Sequence, residues 1–352
     1  MDTKRYYLQN FPYAAIEQLV NFSGNPIVNR EFAVEGEYFK RYIGIHELRR
    51  LVLTMQTIRS IHIGAIFTNE PSRKRISLPL KRELIFDLDL TDYDHLKLTS
   101  RGADGTEQFD LEACDRAWPF AAIGIFLLRY LLREAFGYER FMVVYSGRRG
   151  AHLWVLDERA QGASDELRAS IATFLNLDLT PGNRPRATKR LLSLVDTYDL
   201  WPVIEEAFTD LIVDGGHFDD YGNLETFVER LDLGHRDGVR NLADDADSKG
   251  SAAAAWAHVK RTVQGLSDRT GAPSIYDRLR TTMLAYVWPR IDFPVTKSLN
   301  HLIKSPWCAH AKTGRIAIPL DPKDYWRFDP RTAPTVSNLG DDWEQNTRDV
   351  NK

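Results

Sequence analysis

The segment ELIFDLDLTDYD, residues 83–94, decides how this chain folds. Side chains alternate between the two faces of an extended strand, so this pattern separates apolar residues from charged ones. One face carries Leu84, Phe86, Leu88 and Leu90. The other face carries Ile85, Asp87 and Asp89. The segment therefore predicts a strand that buries one face and presents two carboxylates at the end of the other.

A hairpin is predicted downstream of this strand. The runs FMVVY (141–145) and AHLWVLD (151–157) flank the turn SGRRG (146–150), and two β-type runs joined by a short glycine-containing turn are typical of a β-hairpin. The apolar stretch from about Asp115 to Phe136 predicts a long helix that precedes the hairpin. Gly137 follows it, and glycine commonly terminates helices.

The other segments extend this pattern to an α+β fold of mixed β-sheets flanked by helices. IHIGAIF (61–67), RIDFPV (290–295) and GRIAIPL (314–320) have β-type sequence. Residues 44–58 and a stretch that leads to Lys304 have helical character. Strand and helix patterns thus occur at both ends of the chain.

The pattern also predicts a discontinuous domain. Helical periodicity dominates residues 163–289, which we expect to form a mostly helical subdomain inserted into a domain made of residues 1–162 and 290–336. The tail at 337–352 is polar, and we expect it to be mobile.

Composition excludes several classes of protein. The 352 residues are 43% hydrophobic and 27% charged, which is typical of a globular chain and excludes a disordered or collagen-like protein. Two cysteines, Cys114 and Cys308, fit a reducing intracellular compartment better than a disulfide framework. The N-terminal MDTKRYYLQN has no secretion-signal pattern, and the apolar stretch 117–132 is short for a membrane span. We therefore expect an intracellular protein without a membrane partner.

Charge is distributed unevenly along the chain. Lys and Arg total 46 against 49 Asp and Glu, a formal charge of −3, so the molecule as a whole does not attract nucleic acid. Local clusters are basic, however. One consists of Arg73, Lys74, Arg75, Lys81 and Arg82, and another of Lys297, Lys304, Lys312 and Arg315, with His301 and His310 among them. Any binding of anions is therefore expected to be local.

The pair Asp87 and Asp89 is a candidate metal site. Two carboxylates on one face of a strand can hold a hard divalent cation such as Mg²⁺ or Mn²⁺, and no Lys or Arg on that strand neutralises them. A solvated strand end would give the same pattern. Transferases that use sugar nucleotides also carry such pairs, so a metal-dependent glycosyltransferase is an alternative.

The hairpin turn is a candidate anion site. Arg148 and Arg149, between two glycines, offer forked donors that suit phosphate oxygens, and His152 in the next strand could add a third donor. The spacing is not that of a Walker loop. A charged hairpin tip with a packed histidine remains the alternative.

A third cluster runs from Asp292 to Arg315. Asp292 is a lone acid before a basic stretch that contains Lys304 and His310. Each of these residues alone could be a solvated surface group. Taken together, the three clusters supply three carboxylates and several phosphate-seeking groups, which is the set that phosphoryl or nucleotidyl transfer requires.

Three segments, in their order along the chain, resemble the active-site motifs of the small catalytic subunit of archaeo-eukaryotic DNA primases. They are ELIFDLDLTDYD, YSGRRGAHLWV and RIDFPVTKSLNHLIKSPWCAHAKTGRIAIPLD. The resemblance is closer to the eukaryotic form. NREFAVEGEYFKRY (29–42) also resembles the opening of that family. The resemblance runs from about Phe11 to Pro334. It implies the primase catalytic core, which contains an RRM-like element.

The resemblance assigns roles to individual residues. It implies that Asp87, Asp89 and Asp292 are catalytic and bind two divalent ions, Mg²⁺ or Mn²⁺. The residues it places on the nucleotide triphosphate are Ser146, Arg148, Arg149, His152, Lys304 and His310. Glu31 and Arg41 match positions that line the cleft, and Arg315 is grouped with them.

The implied function is synthesis of short RNA primers on single-stranded DNA from ribonucleoside triphosphates during replication. A large primase subunit is the implied partner, joined by the DNA polymerase alpha complex, and the location is nuclear, if the source is eukaryotic. A repair-type primase-polymerase or an end-extending polymerase that uses deoxynucleotides is an alternative. A catalytically dead scaffold is disfavoured because all three carboxylates are present.

One departure from the family concerns zinc. The resemblance implies a structural zinc site after the first motif, built from several cysteines, sometimes with histidine. Residues 95–118 contain a single cysteine, Cys114. The sequence TSRGADGTEQFD occupies the positions where the other ligands would lie. Because zinc sites need about four ligands, we predict that this chain lacks the structural zinc.

Overall fold

The computed structural model describes residues 3–20, 27–72, 77–101, 107–177, 184–234, 241–339 and 343. The helices are α1 Thr3–Gln9, α2 Tyr13–Val20, α3 Ile45–Thr54, α4 Leu111–Arg116, α5 Trp118–Phe136, α6 Glu158–Gln161, α7 Asp165–Leu175, α8 Arg184–Thr197, α9 Trp201–Phe208, α10 Tyr221–Arg230, α11 Leu242–Asp247, α12 Ala252–Thr270, α13 Pro273–Val287 and α14 Phe293–Lys297. The strands are β1 Arg30–Gly36, β2 Phe39–Ile43, β3 Ile58–Phe67, β4 Pro79–Lys81, β5 Leu84–Asp89, β6 Thr99–Arg101, β7 Glu107–Phe109, β8 Phe141–Tyr145, β9 Gly150–Val155, β10 Ile303–Lys304 and β11 Pro319–Leu320.

The strands form sheets among helices, in agreement with the predicted α+β class. Every described strand pair is antiparallel, so the sheets are not mixed as predicted. The five-stranded sheet has the order β10-β3-β1-β2, with β4 paired to β3. The four-stranded sheet has the order β11-β8-β9-β5, and β6 pairs with β7 in a separate ribbon. Strands from both ends of the chain therefore meet in the two larger sheets.

The four-stranded sheet lies between two hydrophobic cores. Leu84, Phe86 and Leu88 of β5 enter one core, together with the buried residues of α5. Ile85 of the same strand enters the other core, beside Trp154 of β9. The alternation predicted from the sequence is thus confirmed, and Asp87 lies on the side of the sheet that faces the second core.

The long helix before the hairpin is interrupted at its start. Residues 111–116 and 118–136 form two helices, α4 and α5, that share Ala117 as their boundary. Helix α5 ends at Gly137, whose φ of 65° lies in the left-handed region that glycine adopts without steric cost. The predicted hairpin β8–β9 follows, with Val144 opposite His152.

Helices α7 to α13 occupy most of residues 163–289. Their buried residues belong to the same core as β5 and α5. Trp288, after α13, donates an indole hydrogen bond of 2.8 Å to the carbonyl of Leu175. The helical region is therefore packed on the four-stranded sheet through α5.

The third motif differs from its predicted secondary structure. RIDFPV is not a strand, because only Ile291 makes an isolated bridge, to Leu88, before α14 begins. Pro294 lies in the first turn of α14, where its missing N–H costs no hydrogen bond, whereas in a strand it would interrupt the ladder. The predicted helix leading to Lys304 is also wrong, since Ile303 and Lys304 form β10.

Part of the predicted tail can be described. Trp343 is buried against Tyr6, with ring centroids 6.0 Å apart, and its indole N–H donates to the carbonyl of Asn10 at 3.1 Å. Residues 340–342 and 344–352 lie outside the described residues, as do Arg73, Lys74 and Arg75 of the first basic cluster. None of the described helices combines the length and apolar character needed to cross a membrane.

Candidate active site

An open cleft of about 310 Å³ lies between the two larger sheets. It collects nine of the residues that the sequence singled out. They are Asp87, Asp89, Ser146, Arg148, Arg149, His152, Asp292, Lys304 and His310. Segments separated by more than 200 positions in the chain therefore contribute to one site.

The carboxylates converge through backbone pairing. Asp87 lies at the end of β5, and its carbonyl accepts a 2.9 Å hydrogen bond from the backbone N–H of Asp292. Asp292 is the N-cap residue of α14, yet its side chain makes no capping hydrogen bond. An N-cap aspartate usually satisfies a helix donor, so this carboxylate is left available to the cleft.

Asp87 is electrostatically strained. Burial first, and then repulsion from Asp89, Asp292 and Asp92, raises the pKa of Asp87 to about 7. The pKa of Asp92 is also raised, by burial and by Asp89. Crowded carboxylates of this kind are stabilised by a divalent cation, and their oxygen atoms are the donors that Mg²⁺ and Mn²⁺ prefer.

The carboxylates do not lie close enough together to form a complete set of metal ligands. Among the described residues, no three His, Cys, Asp or Glu side chains are grouped closely enough to hold an ion. Asp89 is engaged elsewhere, since it pairs with Arg149 at 2.8 Å and accepts a 2.7 Å hydrogen bond from the hydroxyl of Thr91. The donor set fits a divalent ion, and the carboxylate of Asp89 would have to turn from Arg149 to bind one.

Glycines shape the turn that carries the arginines. Gly147 has a φ of 89°, in the left-handed region. At Gly150 a Cβ would lie 1.9 Å from the carbonyl oxygen of Leu88, so a side chain there would push β9 away from β5. The turn is also tied to the first motif, because the N–H of Leu90 donates to the carbonyl of Arg149 at 2.8 Å.

Two of the histidines that line the cleft, His152 and His310, are neutral at physiological pH. Burial and the charge of Lys304 lower the pKa of both His152 and His310 to about 3. The backbone N–H of Lys312 donates to Nδ1 of His310 at 3.2 Å, which leaves the ring proton on Nε2. The positive charge of the cleft therefore comes from Arg148, Arg149 and Lys304.

Two further histidines, His62 and His301, line the cleft. His301 belongs to the second basic cluster, but neither residue was predicted to be part of the site. His62 lies on β3 directly opposite Lys304 of β10. Its Nε2 is 2.8 Å from the hydroxyl of Ser60, and burial, followed by Lys304, lowers its pKa to about 4. His62 is a polar residue inside the apolar strand IHIGAIF, which is a local signal for a functional residue. Its partner Lys304 is distant in the chain and cannot be inferred from the local sequence.

Three predicted residues do not line the cleft. Glu31 is buried and paired with Arg41 through two hydrogen bonds of 2.9 and 3.1 Å. Arg41 also bonds to the side chain of Asn300 at 2.9 Å, next to His301. Arg315 is paired with Asp115 at 2.6 and 2.8 Å, so its guanidinium is committed to a carboxylate rather than open to phosphate.

Comparison with known proteins gives a consistent answer. The sequence profile of the family "DNA primase small subunit" matches residues 86–322 and so spans all three motifs. The chain is similar to the DNA primase small subunit of Schizosaccharomyces pombe, with 29% identity over 371 residues that cover 99% of this chain and 78% of the relative.

Other relatives carry the same description. The DNA primase small subunit of Saccharomyces cerevisiae is 29% identical over 98% of this chain and 86% of its own length. An archaeal DNA primase small subunit, from Halorubrum lacusprofundi, is 27% identical over 70% of this chain and 60% of its own length. These matches decide against the glycosyltransferase alternative. The chain belongs to the DNA primase small subunit family, and it is a nucleotidyltransferase, the catalytic subunit for RNA primer synthesis in replication.

Proposed function

We propose that the cleft is the nucleotidyl-transfer centre of this primase subunit and that Asp87, Asp89 and Asp292 hold two divalent ions, Mg²⁺ or Mn²⁺. The observation that carries the proposal is that carboxylates crowd around Asp87 in a cleft that also contains the cations Arg148, Arg149 and Lys304. Bound ions would activate the attacking hydroxyl and offset charge on the departing pyrophosphate.

The three cations would hold the triphosphate of an incoming ribonucleotide. Arg148 and Arg149 present forked N–H donors, and Lys304 adds a point charge from the opposite sheet. His152 and His310 are neutral and would donate hydrogen bonds without adding charge. Because Arg149 now pairs with Asp89, phosphate and ion would separate that pair and engage both partners.

Ion binding should depend on pH through Asp87. Its raised pKa means that, without an ion, the folded protein gains stability from protonated Asp87 at low pH and loses it as pH rises through about 7. An ion must displace that proton, so affinity should fall by up to about tenfold for each pH unit below 7. Thermal unfolding with a Mg²⁺ or Mn²⁺ titration should show greater stabilisation at pH 8 than at pH 6.

Asp87→Asn is the control for this titration. Without an ionisable group at position 87, the difference between pH 8 and pH 6 should largely disappear. Equal stabilisation of the unsubstituted protein at both pH values would contradict the placement of the ion beside Asp87.

We also propose that this chain has no structural zinc site. Cys114 is buried, and its thiol lies 3.6 Å from the carbonyl of Arg148. The strands β6 and β7 of the expected zinc segment pair in antiparallel orientation, while residues 102–106 lie outside the described residues. Elemental analysis of protein purified without chelators should give substoichiometric zinc. One zinc per chain would contradict this proposal.

Membership of the family implies a heterodimer with a large subunit. We propose that the large subunit docks on the helical region 163–289, which we also propose to be an inserted subdomain on a primase core with an RRM-like element. Similarity to eukaryotic relatives over almost the whole chain supports association with the DNA polymerase alpha complex and a nuclear location. The template would be single-stranded DNA.

A further inference from the structure

Strand β7, which lies outside the three motifs, contacts the turn 146–150 that carries Arg148. Strand β7 ends at Phe109, and the guanidinium carbon of Arg148 lies 3.8 Å from the centroid of the Phe109 ring. This distance corresponds to a guanidinium stacked on the face of the ring. No motif contains Phe109, and it does not line the cleft.

The backbone on both sides of Phe109 is fixed. In the β6–β7 pair, Phe109 lies opposite Thr99. The N–H of Asp110 donates to the carbonyl of Leu98 at 2.9 Å, and the side chain of Asp110 caps α4 by accepting from the N–H of Ala113 at 2.9 Å. The ring therefore sits between a paired strand and a capped helix, which restricts its movement.

Helix α4 also contacts the turn that carries Arg148. The thiol of Cys114 lies 3.6 Å from the carbonyl of Arg148. Asp115 holds Arg315 through two hydrogen bonds, and the hydroxyl of Thr313 donates to the carbonyl of Gly147 at 2.8 Å. Residues 109–115 thus contact both the backbone and the side chain of Arg148.

Arg148 needs such support because of its neighbour. Two consecutive arginines repel each other, and Arg149 already has Asp89 as a partner. The described residues give Arg148 no carboxylate within salt-bridge distance. The ring face of Phe109 attracts the cation while it occupies only the face of the guanidinium, so the N–H edge stays available to phosphate oxygens.

We propose that Phe109 is a positioning residue for the primase reaction, which stacks on Arg148 and orients its N–H edge toward the triphosphate. The proposal rests on the proposed role of Arg148 in binding that triphosphate. Phe109 contacts no reacting atom in this arrangement. It acts by limiting the orientations of Arg148 before the nucleotide arrives, which lowers the entropy that binding must overcome.

The test compares substitutions that separate the aromatic face from apolar bulk. Phe109→Leu keeps apolar volume but has no ring, and Phe109→Trp restores an aromatic face. We expect Phe109→Leu to raise KM for ribonucleotides about 3- to 10-fold, with a smaller change in kcat, and Phe109→Trp to restore KM. Primer synthesis on unprimed single-stranded DNA gives both constants, and thermal unfolding confirms that the variants fold.

A double-mutant cycle identifies the partner. In an Arg148→Ala background, Phe109→Leu should have no further effect on KM, because the stacked cation is already absent. A further rise in KM in that background, or an unchanged KM in Phe109→Leu alone, would overturn the proposal. An unchanged KM in Arg148→Ala alone would instead refute the proposed role of Arg148. Phe126→Leu, at an exposed phenylalanine on α5, is the matched control and should leave KM unchanged.

Discussion

Replacing Asp87 by asparagine should reduce primer synthesis at least about a thousandfold. The substitution keeps the shape of the side chain but removes the charge that would bind a divalent ion. Loss of about 4 kcal/mol of transition-state stabilisation corresponds to that factor, and a bound ion contributes several kcal/mol. Incorporation of labelled ribonucleotides on unprimed single-stranded DNA, with saturating Mg²⁺ or Mn²⁺, measures kcat.

The same variant should remain folded. Removing Asp87's charge relieves its repulsion with Asp89 and Asp292, so ion-free Asp87→Asn should unfold at a temperature equal to or above that of the unsubstituted protein at pH 8. Asp210→Asn, which alters an exposed carboxylate of the helical region, is the matched control and should retain activity. Primer synthesis by Asp87→Asn at more than a tenth of the normal rate would show that the ion site is elsewhere.

The largest loss of stability is expected for Glu83→Gln. Glu83 is fully buried and accepts hydrogen bonds of 2.6 and 3.1 Å from Arg30, which is also fully buried. Two more arginines, Arg82 and Arg168, are buried nearby. Burial, followed by repulsion from Arg168, lowers the pKa of Arg82 to about 9. Removing the carboxylate would leave three buried cations without it.

Breaking a buried ion pair from one side costs about 3–5 kcal/mol, a large part of a typical unfolding free energy of about 5–15 kcal/mol. Urea unfolding of Glu83→Gln should show this loss. Glu158→Gln is the control, because Glu158 is 71% exposed and pairs with Lys81 at 3.4 Å, an interaction worth less than about 1 kcal/mol. Equal stability of the two variants would mean that the arginines are satisfied without Glu83.

Local periodicity predicted the central part of the fold. The alternation in β5 and the glycines around Arg148 and Arg149 were sufficient to place two carboxylates on one strand and two arginines in a hairpin turn. These features depend on residues that are close in sequence, where side-chain direction and turn geometry are decisive.

The remaining features depend on distant pairing. Lys304 faces His62 because β10 joins β3, and Arg315 is occupied by Asp115, which is 200 positions away. No local pattern encodes such partners, so Arg315 looked like a free cation and His62 like an ordinary strand residue. The proline of RIDFPV is an exception, because the preference of proline for a first helical turn is a local signal against a strand at 290–295.

The five-stranded sheet also sets the order of events during synthesis on the ribosome. Its strand β3 is made early, but β10 emerges about 240 residues later, and the hydroxyl of Tyr6 donates to the carbonyl of Trp307 at 2.6 Å. The N-terminal apolar side chains must therefore wait, partly uncovered, until nearly the whole chain has been translated. Such an interval favours chaperone binding and makes the nascent subunit vulnerable to aggregation.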